Sequence, residues 1–319
     1  MAPAETGRPE LASPGEVSEF REWRMIARAV RPTEWLLVTY FCYVALRGLL
    51  AGRPAGAAAL QCGLTAAGAA LLLLLARAEH RSGSLFVSVV RDWLPAPLLL
   101  VAYWAVDWPG SQAYETHLEQ AWLRFDKVFL HDWGAKAAIE YFGPLLPFLL
   151  EFCYSLLYAV PTLSIGVLYL CRRRARVDHF LFTLLLGALI TYTLLPLTPS
   201  RSPYAAFPGQ DLPSFMTPFR QLNFWLLERG DIRTSVFPSG HVTVGFSAAF
   251  AMLLALPERK RTGIAIAAIA AGVAVVTVYG RYHYAADGLA AFAVSLLAYA
   301  GGTFLYPARQ RVSPGRERR

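Results

Sequence analysis

The sequence has few charged residues. Only 16% of its 319 residues are Asp, Glu, Lys or Arg, whereas 55% are hydrophobic, and the mean hydropathy is +0.39. Soluble globular domains carry about 25% charged residues. This deficit argues against a soluble domain and predicts an all-α fold, a polytopic helical bundle in a membrane.

Cysteine is also scarce. The four cysteines lie within or at the ends of apolar runs, at Cys42, Cys62, Cys153 and Cys171. Their spacing fits neither a disulfide framework nor a zinc site. We interpret them as small core residues.

The first 33 residues lack the apolar core of a cleavable signal peptide and are rich in Pro, Glu and Arg. We expect residues 1–33 to form a disordered, basic tail and residues 307–319 to form a second one. Between them, 34–140 are expected to hold the N-terminal spans and an interfacial helix, and 141–306 a helical core with the active site.

Long apolar runs are frequent. About 20 mostly apolar residues cross a membrane, and eight runs approach this length. They are 34–50, 56–76, 85–106, 145–170, 179–196, 240–256, 263–281 and 284–305. We expect about eight spans, with six as the lower bound, because Arg91, Asp92, Pro95 and Pro97 interrupt the third run.

Residues 111–133 are more polar, yet their apolar residues recur at steps of three and four. These residues are Tyr114, Leu118, Trp122, Phe125 and Phe129. The pattern predicts an amphipathic helix that lies at the membrane interface. A helix that packs against the polar end of the bundle is the alternative.

The net charge of +8 does not indicate a nucleic-acid partner, because the basic residues form short clusters between apolar runs. This pattern is typical of membrane topology. With eight spans, most Lys and Arg residues fall on the side of both termini, which is the cytoplasmic side by the positive-inside rule. The loop 197–239 then faces outward, and we expect a plasma (inner) membrane location.

Three polar segments are predicted to meet on that outer face. They are "PLTPSRSPY" (196–204), "FPSGH" (237–241) and "GRYHYAAD" (280–287). His241 and His283 are 42 residues apart, which is about two membrane crossings of ~20 residues each. The chain therefore returns the second histidine to the level of the first.

Each of these residues has a chemical use. The N–H groups near Ser239 and Gly240 start a helix and suit an anion, and Arg201 is a permanent cation. His283 and Asp287 are four apart, so we expect them on one helix face, with the carboxylate fixing the imidazole tautomer.

His283 can then attack as a nucleophile and His241 can protonate a leaving group. A lone interfacial histidine or a Pro-Ser helix start is more often only structural. Together, on one face, these residues favour phosphoryl transfer through a phosphohistidine.

The blocks "PSGH" and "HYAAD" resemble the signature of the type 2 phosphatidic acid phosphatase superfamily of membrane lipid phosphatases and phosphotransferases. The resemblance covers about 196–305. It implies a helical core, a site near the lipid headgroups, and no metal or other cofactor. It also implies residue roles: His283 as nucleophile with Asp287 as its partner, His241 as the acid, and Ser239, Gly240 and Arg201 as phosphate ligands.

The sequence also departs from that pattern. Leu194 and Thr277 stand where the superfamily has Lys and Arg. Arg281 is the candidate to replace the missing charge, Arg233 is a weaker one, and Tyr282 adjoins the nucleophile. "VYGRYHYAAD" is similar to the inositol phosphorylceramide synthase branch, whose members transfer a headgroup phosphate between lipids and alcohols.

Glu151 lies within the apolar run 145–170. An acid in a bilayer is expensive and faces a polar cavity or a partner. Two hypotheses remain equal: a bond to a site arginine or a substrate hydroxyl, and a helix-to-helix hydrogen bond.

The expected function is that of an enzyme acting on a lipid phosphate within the membrane. The acceptor is water, an alcohol or polyol, or another lipid. The non-enzymatic alternative is a binding protein or transporter for anionic lipids that uses Arg201, Arg281 and the helix N-terminus. That alternative gives no reason for the His283–Asp287 spacing, and no inverted halves of the transporter kind are visible.

Overall fold

The computed structural model describes residues 29–52, 54–107, 114 and 116–306. Residues 1–28 of the predicted tail 1–33, and the predicted tail 307–319, lie outside the described residues. The first long helix begins at Pro32, so the C-terminal bound predicted for the first tail is wrong by two residues. The α-helices, in chain order, are α1 (Pro32–Leu50), α2 (Ala55–Ser82), α3 (Leu85–Trp93), α4 (Pro95–Trp104), α5 (Thr116–Lys127), α6 (Ala135–Glu140), α7 (Leu145–Leu157), α8 (Val160–Leu170), α9 (Val177–Leu194), α10 (Pro203–Ala206), α11 (Pro218–Gly230), α12 (Gly240–Ala255), α13 (Lys260–Tyr279) and α14 (Ala285–Phe304).

The described residues contain no strand, which confirms the predicted all-α polytopic bundle. Five helical stretches are long and apolar enough to cross a membrane, and a sixth is added if α7 and α8, bent by 71°, form one span. The five are Ala55–Ser82, Leu85–Asp107, Arg174–Leu197, Pro257–Tyr279 and Ala285–Phe304.

Two of the eight predicted spans are absent from this set. The run 240–256 forms α12, whose 16 residues extend about 24 Å at ~1.5 Å per residue. This is shorter than the hydrocarbon core of about 30 Å. The run 34–50 forms α1, in which Glu34 and Arg47 lower the hydropathy.

The short helix α12 is the centre of the bundle. It packs against α9, α13 and α14, and most of its side chains are buried. Its first residue lies at the same end of the bundle as the last turns of α9 and α13 and the start of α14. We call this end the histidine end, because His241 and His283 lie there. Helix α2 packs mainly against α1 and leaves most of its surface exposed, as suits a lipid-facing span.

Small residues allow the core helices to approach closely. Gly187 of α9 faces both α12 and α14: a Cβ added to it would contact the hydroxyl of Ser247 and lie 3.1 Å from the Cβ of Ala298. In a membrane, helix association depends on such close packing, because lipid supplies no hydrophobic drive between helices.

A partly buried cluster of six charged side chains, here called the ion cluster, lies at the end opposite the histidines, with Glu34, Arg91 and Asp92 buried at its centre. Its members are Arg31, Glu34, Glu79, Arg91, Asp92 and Arg174. Arg91 donates to Glu34 at 2.6 Å, and Asp92 accepts from Arg31 and from Arg174, each at 2.6 Å. Three positive and three negative charges balance, which is the condition under which buried ions are tolerated. The cluster joins α1, α2 and α3 to the segment between α8 and α9.

The amphipathic helix predicted over 111–133 is present as α5, followed by a π-helical turn. Phe125 of its apolar face is exposed, whereas Glu119, Leu123 and Asp126 are buried inside the protein. Its position at a membrane interface stays a prediction. Glu119 and Asp126 turn inward, where Arg201 and Arg281 bind them, as described below.

Gly187→Ala tests the close packing of the core. The added methyl group meets Ser247 and Ala298, so we expect overpacking to lower stability by about 1–3 kcal/mol. The matched control is Gly166→Ala in α8, where an added Cβ meets nothing within 4 Å and the helix gains up to ~1 kcal/mol of propensity. Melting temperatures in detergent should therefore move in opposite directions; a parallel shift contradicts the packing.

Candidate active site

The two motif histidines lie close together at the histidine end. The ring centroids of His241 and His283 are 5.9 Å apart, with the rings inclined at 60°. His241 is the second residue of α12, and His283 lies in the turn between α13 and α14. The two segments are joined directly, because the Ser239 amide donates to the carbonyl of Asp287 at 3.2 Å.

His283 is held through one ring nitrogen. Its Nδ1 lies 3.0 Å from the carbonyl oxygen of Val236 and 3.2 Å from Oδ2 of Asp287. Both partners only accept hydrogen bonds, so Nδ1 carries the proton and Nε2 keeps its lone pair. Nε2 is the nitrogen that suits a nucleophile.

The structural reason for the contact between His283 and Asp287 differs from the prediction. Helix α14 begins at Ala285, so His283 and Asp287 do not share a helix face. Asp287 lies in the first helical turn and reaches back, where its Oδ2 also accepts from the Tyr284 amide at 3.0 Å. A helix cap, and not an i,i+4 helical pair, thus orients the histidine.

Two tyrosines that the sequence analysis missed contact His241. The hydroxyls of Tyr154 and Tyr158 lie 3.2 Å and 3.1 Å from its Nε2, and the ring of Tyr154 stacks on the imidazole at 4.6 Å. With Glu151 these tyrosines form a polar stripe at steps of three and four in an apolar run. This spacing of polar residues was the sequence signal that could have identified the two tyrosines as site residues.

The start of α12 has the predicted form. Ser239 is the N-cap, and its hydroxyl accepts from the Val242 amide at 3.4 Å. No acceptor among the described residues is bonded to the amides of Gly240 and His241. These two free N–H groups give the helix N-terminus its capacity for an anion.

The predicted cations are already paired. Arg201 donates from Nη2 to Glu119 at 2.8 Å and from its backbone amide to the same carboxylate at 2.7 Å. The hydrogen bonds that Arg201 donates to Glu119 raise the pKa of Arg201, which stays charged. Arg233 is exposed and is fixed through its amide by Asp107.

Arg281 is fully buried. Its Nη1 donates to Asp126 at 2.9 Å, and its Nε and Nη2 atoms have no hydrogen-bond partner. Burial raises the pKa of Asp126 to about 6, so in mildly acidic solution this carboxyl group takes up a proton and binds Arg281 less strongly.

Glu151 binds a residue that was not among the candidates. It accepts from Nη1 of Arg220 at 2.9 Å, from Asn223 at 2.7 Å and from the hydroxyl of Tyr282 at 2.9 Å. Arg220 also donates to the carbonyl of Gly280 at 3.1 Å. These contacts are the helix-to-helix hydrogen bonds of the second hypothesis, and they also fix the turn that carries His283.

Two cavities meet at the histidines. The larger, of about 450 Å³, is mostly apolar, with His241 and Gly240 at one end. The smaller, of about 170 Å³, is lined by His283 and several polar side chains. Asp231 lines both. Neither Arg201 nor Arg281 lines either cavity.

Asp231 is the site residue that the sequence gave no means to find. It follows α11 and accepts from the hydroxyl of Tyr103. Its side chain has exposed surface toward the cavities, and its partial removal from water raises its pKa.

The chain matches one family. Residues 120–301, more than half of the sequence, match the family model described as the PAP2 superfamily. This confirms the resemblance stated from the two motifs. Neither a curated protein nor a solved structure matches the chain.

Glu151→Gln tests the network behind the histidine turn. It leaves Arg220, whose side chain is 3% exposed, without a carboxylate, and we expect a loss of about 3–5 kcal/mol. Glu258→Gln is the control, because the pair Arg173–Glu258 is partly exposed and is worth about 0–1 kcal/mol. Thermal unfolding in detergent measures both; equal melting temperatures contradict the assignment.

Proposed function

This chain belongs to the PAP2 superfamily, and we propose on that premise that it is a membrane enzyme that transfers or hydrolyses the phosphoryl or phosphodiester group of a lipid phosphate through a phosphohistidine. The observation that carries the proposal is the geometry of His283. Its Nδ1 is bound by Asp287 and by the carbonyl of Val236. Its ring lines the small cavity, and His241 lies 5.9 Å away.

In the first step, Nε2 of His283 attacks phosphorus and the bond between phosphorus and the lipid oxygen breaks. His241 gives a proton to that oxygen, so the lipid leaves as an alcohol. The imidazole of His283 gains positive charge as it bonds to phosphorus, and Asp287 stabilises that charge through Nδ1. The nucleophile is a side chain, so the proposed step is independent of a metal ion.

In the second step, an acceptor hydroxyl attacks the phosphohistidine. The P–N bond breaks, its electrons return to Nε2, and the acceptor proton passes to His241. Water as acceptor makes the enzyme a phosphatase, and an alcohol makes it a phosphotransferase. The likeness of "VYGRYHYAAD" to the inositol phosphorylceramide synthase branch supports the second form as the alternative.

The phosphate oxygens need donors near both histidines. The amides of Gly240 and His241 supply them in this proposal, since the start of α12 lies beside His283. Arg201 and Arg281 are paired with Glu119 and Asp126, but Nε and Nη2 of Arg281 have no partner and can bind a phosphate oxygen without displacing Asp126.

The larger cavity suits the lipid chain. Apart from its polar end, it is lined by apolar side chains such as Leu100, Leu157 and Val244, and apolar walls are what a hydrocarbon chain requires. Leu100 and Trp104 at its edge are about half exposed, so the cavity opens sideways between helices. A lipid can then bind from the bilayer while its phosphate lies at the histidines.

We place the histidine end on the outer side of a plasma (inner) membrane. The basic segments 172–176 and 259–261 lie at the opposite end of the bundle. Basic loops mark the cytoplasmic side.

Leaving-group dependence tests the two histidine roles. With a long-chain lipid phosphate, whose alcohol is a poor leaving group, His241→Ala should lower kcat by about 10²–10⁴. With p-nitrophenyl phosphate, whose leaving group needs no proton, the same variant should lose much less. His283→Ala should abolish turnover of both. Phosphate release from purified protein in lipid micelles with EDTA is the measurement.

If the phosphohistidine forms, the wild-type protein should carry acid-labile, alkali-stable phosphate, and His283→Ala should carry none. Labelled lipid phosphate that binds equally to both proteins without turnover would favour the binding or transport function instead. Equal loss of both substrates in His241→Ala would falsify its role as the acid.

Val244→Phe tests the chain cavity. Val244 lies one turn after His241 and lines the cavity, so the larger ring displaces part of a bound chain. Loss of about two buried methylene contacts should raise the KM for a long-chain lipid phosphate about tenfold. The KM for p-nitrophenyl phosphate, which has no chain, is the internal control, and a rise for both substrates contradicts the assignment.

A further inference from the structure

Tyr158 lies where the chain bends between α7 and α8. It is the residue that follows α7, and the two helices meet at an angle of 71°. Pro161 stands in the first turn of α8. Because a proline has no N–H group and crowds the preceding turn, α7 does not continue into α8 as one straight helix. At this bend the side chain of Tyr158 is 43% exposed, and it lines the larger cavity together with His241.

The hydroxyl of Tyr158 contacts one nitrogen of His241. It lies 3.1 Å from Nε2, and the two rings are nearly perpendicular, inclined at 87°. An imidazole nitrogen directs its N–H bond or its lone pair outward in the plane of the ring, so each nitrogen bonds a separate partner. A hydroxyl at hydrogen-bond distance from Nε2 alone is in the position to exchange a proton with it.

Tyr154 contacts the same histidine in a different way. Its ring stacks on the imidazole, with the centroids 4.6 Å apart and the planes inclined by only 25°. Its hydroxyl is almost equally far from both ring nitrogens, 3.4 Å from Nδ1 and 3.2 Å from Nε2. Such a position is over the face of the imidazole and away from the directions of its N–H bond and lone pair. Tyr158, and not Tyr154, is therefore the partner suited to proton transfer.

An in-line displacement determines where the leaving oxygen lies. Nε2 of His283, the phosphorus and the leaving oxygen are roughly on one line, so the leaving oxygen is on the far side of the phosphorus from His283. The ring centroids of His241 and His283 are only 5.9 Å apart. With Nε2 of His283 about 3–3.5 Å from phosphorus before attack, His241 flanks the phosphate and does not extend beyond the leaving oxygen.

The proton therefore needs a group that extends from His241 toward the lipid chain. The hydroxyl of Tyr158 is bonded to His241, and its side chain lines the larger, apolar cavity in which we place the chain. The leaving oxygen is the atom between phosphorus and that chain. A tyrosine hydroxyl can accept one proton while it donates its own.

We propose that Tyr158 is a catalytic residue that relays the proton between His241 and the leaving oxygen of the lipid. This inference rests on the proposed function and adds a residue to its chemistry. As the bond between phosphorus and the lipid oxygen breaks, the hydroxyl of Tyr158 gives its proton to that oxygen and takes a proton from Nε2 of His241. Tyr158 ends unchanged, His241 passes from its protonated to its neutral form, and the lipid leaves as an alcohol. When the acceptor hydroxyl attacks the phosphohistidine, the same two transfers run in reverse.

The experiment uses purified full-length protein in mixed micelles with EDTA. The variants are Tyr158→Phe, His241→Ala, the double variant of these two, and His283→Ala as the blank. Tyr154→Phe is the matched control, because it removes a hydroxyl from the same histidine and keeps the stacked ring. Each protein is assayed with p-nitrophenyl phosphate and with phosphatidic acid or a polyprenyl phosphate, whichever wild type turns over faster.

The first readout is the ratio of kcat for the lipid phosphate to kcat for p-nitrophenyl phosphate. This ratio is independent of how much variant protein is folded. The lipid alcohol needs a proton in order to leave and p-nitrophenolate does not, so Tyr158→Phe should lower the ratio about 10²-fold. Any effect of Tyr154→Phe should fall on both substrates alike and leave the ratio at the wild-type value.

The double variant tests whether the two residues act as one path. If the proton passes through both, removing His241 already interrupts the path. The double variant should then have the same ratio as His241→Ala alone, which is full coupling of the two sites. Losses that multiply would mean that Tyr158 and His241 act separately, and they overturn the relay.

The number of protons that move in the transition state distinguishes a relay from a positioning role. A relay moves two protons, so kcat of wild type for the lipid phosphate should fall along a curve as D₂O replaces H₂O. If Tyr158 only orients His241, one proton moves and kcat falls along a straight line. We expect the curve, with Tyr154→Phe giving the same curve as wild type.

The outcomes separate this inference from the function beneath it. An unchanged ratio in Tyr158→Phe means that His241 donates directly, and a straight line for wild type means that Tyr158 only positions His241. Either result overturns the relay while the His283-dependent reaction stands. If turnover of both substrates persists in His283→Ala, the proposed function itself fails, and the relay fails with it.

Discussion

The candidate site depends on one constraint: a short turn, residues 280–284, must present His283 between two helices while carrying buried polar groups of its own. Side chains from outside the turn form hydrogen bonds and ion pairs with these buried polar groups. Arg220 binds the carbonyl of Gly280, and Glu151 binds both Arg220 and Tyr282. Asp126 binds Arg281 and the amide of Ala285. In a low-dielectric interior such groups fix a geometry only when they are paired. His283, the proposed nucleophile, is therefore positioned by three charged residues that never touch it, Arg220, Glu151 and Asp126.

Much of the arrangement followed from local sequence. The helical class followed from low charge and long apolar runs, the start of α12 followed from Pro-Ser-Gly, and the meeting of His241 with His283 followed from a spacing of two crossings. The contact of Asp287 with His283 was also expected, although its cause is a cap. These features depend on periodicity, caps and span length, which neighbouring residues determine.

The remaining features depend on residues far apart in the chain. Arg201 and Glu119 are 82 residues apart, and Arg281 and Asp126 are 155 apart. No periodic pattern records such pairings. The amphipathic helix α5 illustrates this limit: hydrophobic spacing predicted the helix, but not that Glu119 and Asp126 turn inward to bind Arg201 and Arg281. Asp231 is similar, since it becomes a site residue only when α4, α7 and α11 converge.

The ion cluster has a mechanical consequence. It pins Asp92 to Arg174 at the end of the bundle away from the histidines, so the N-terminal helices are fastened to the core at their base. The same helices are also attached at the histidine end: Trp104 donates to the carbonyl of Gly230, and Asp107 accepts from the amides of Arg233 and Thr234. The N-terminal helices are therefore held to the core at both ends of the bundle, so the larger cavity between them has walls that are fixed above and below.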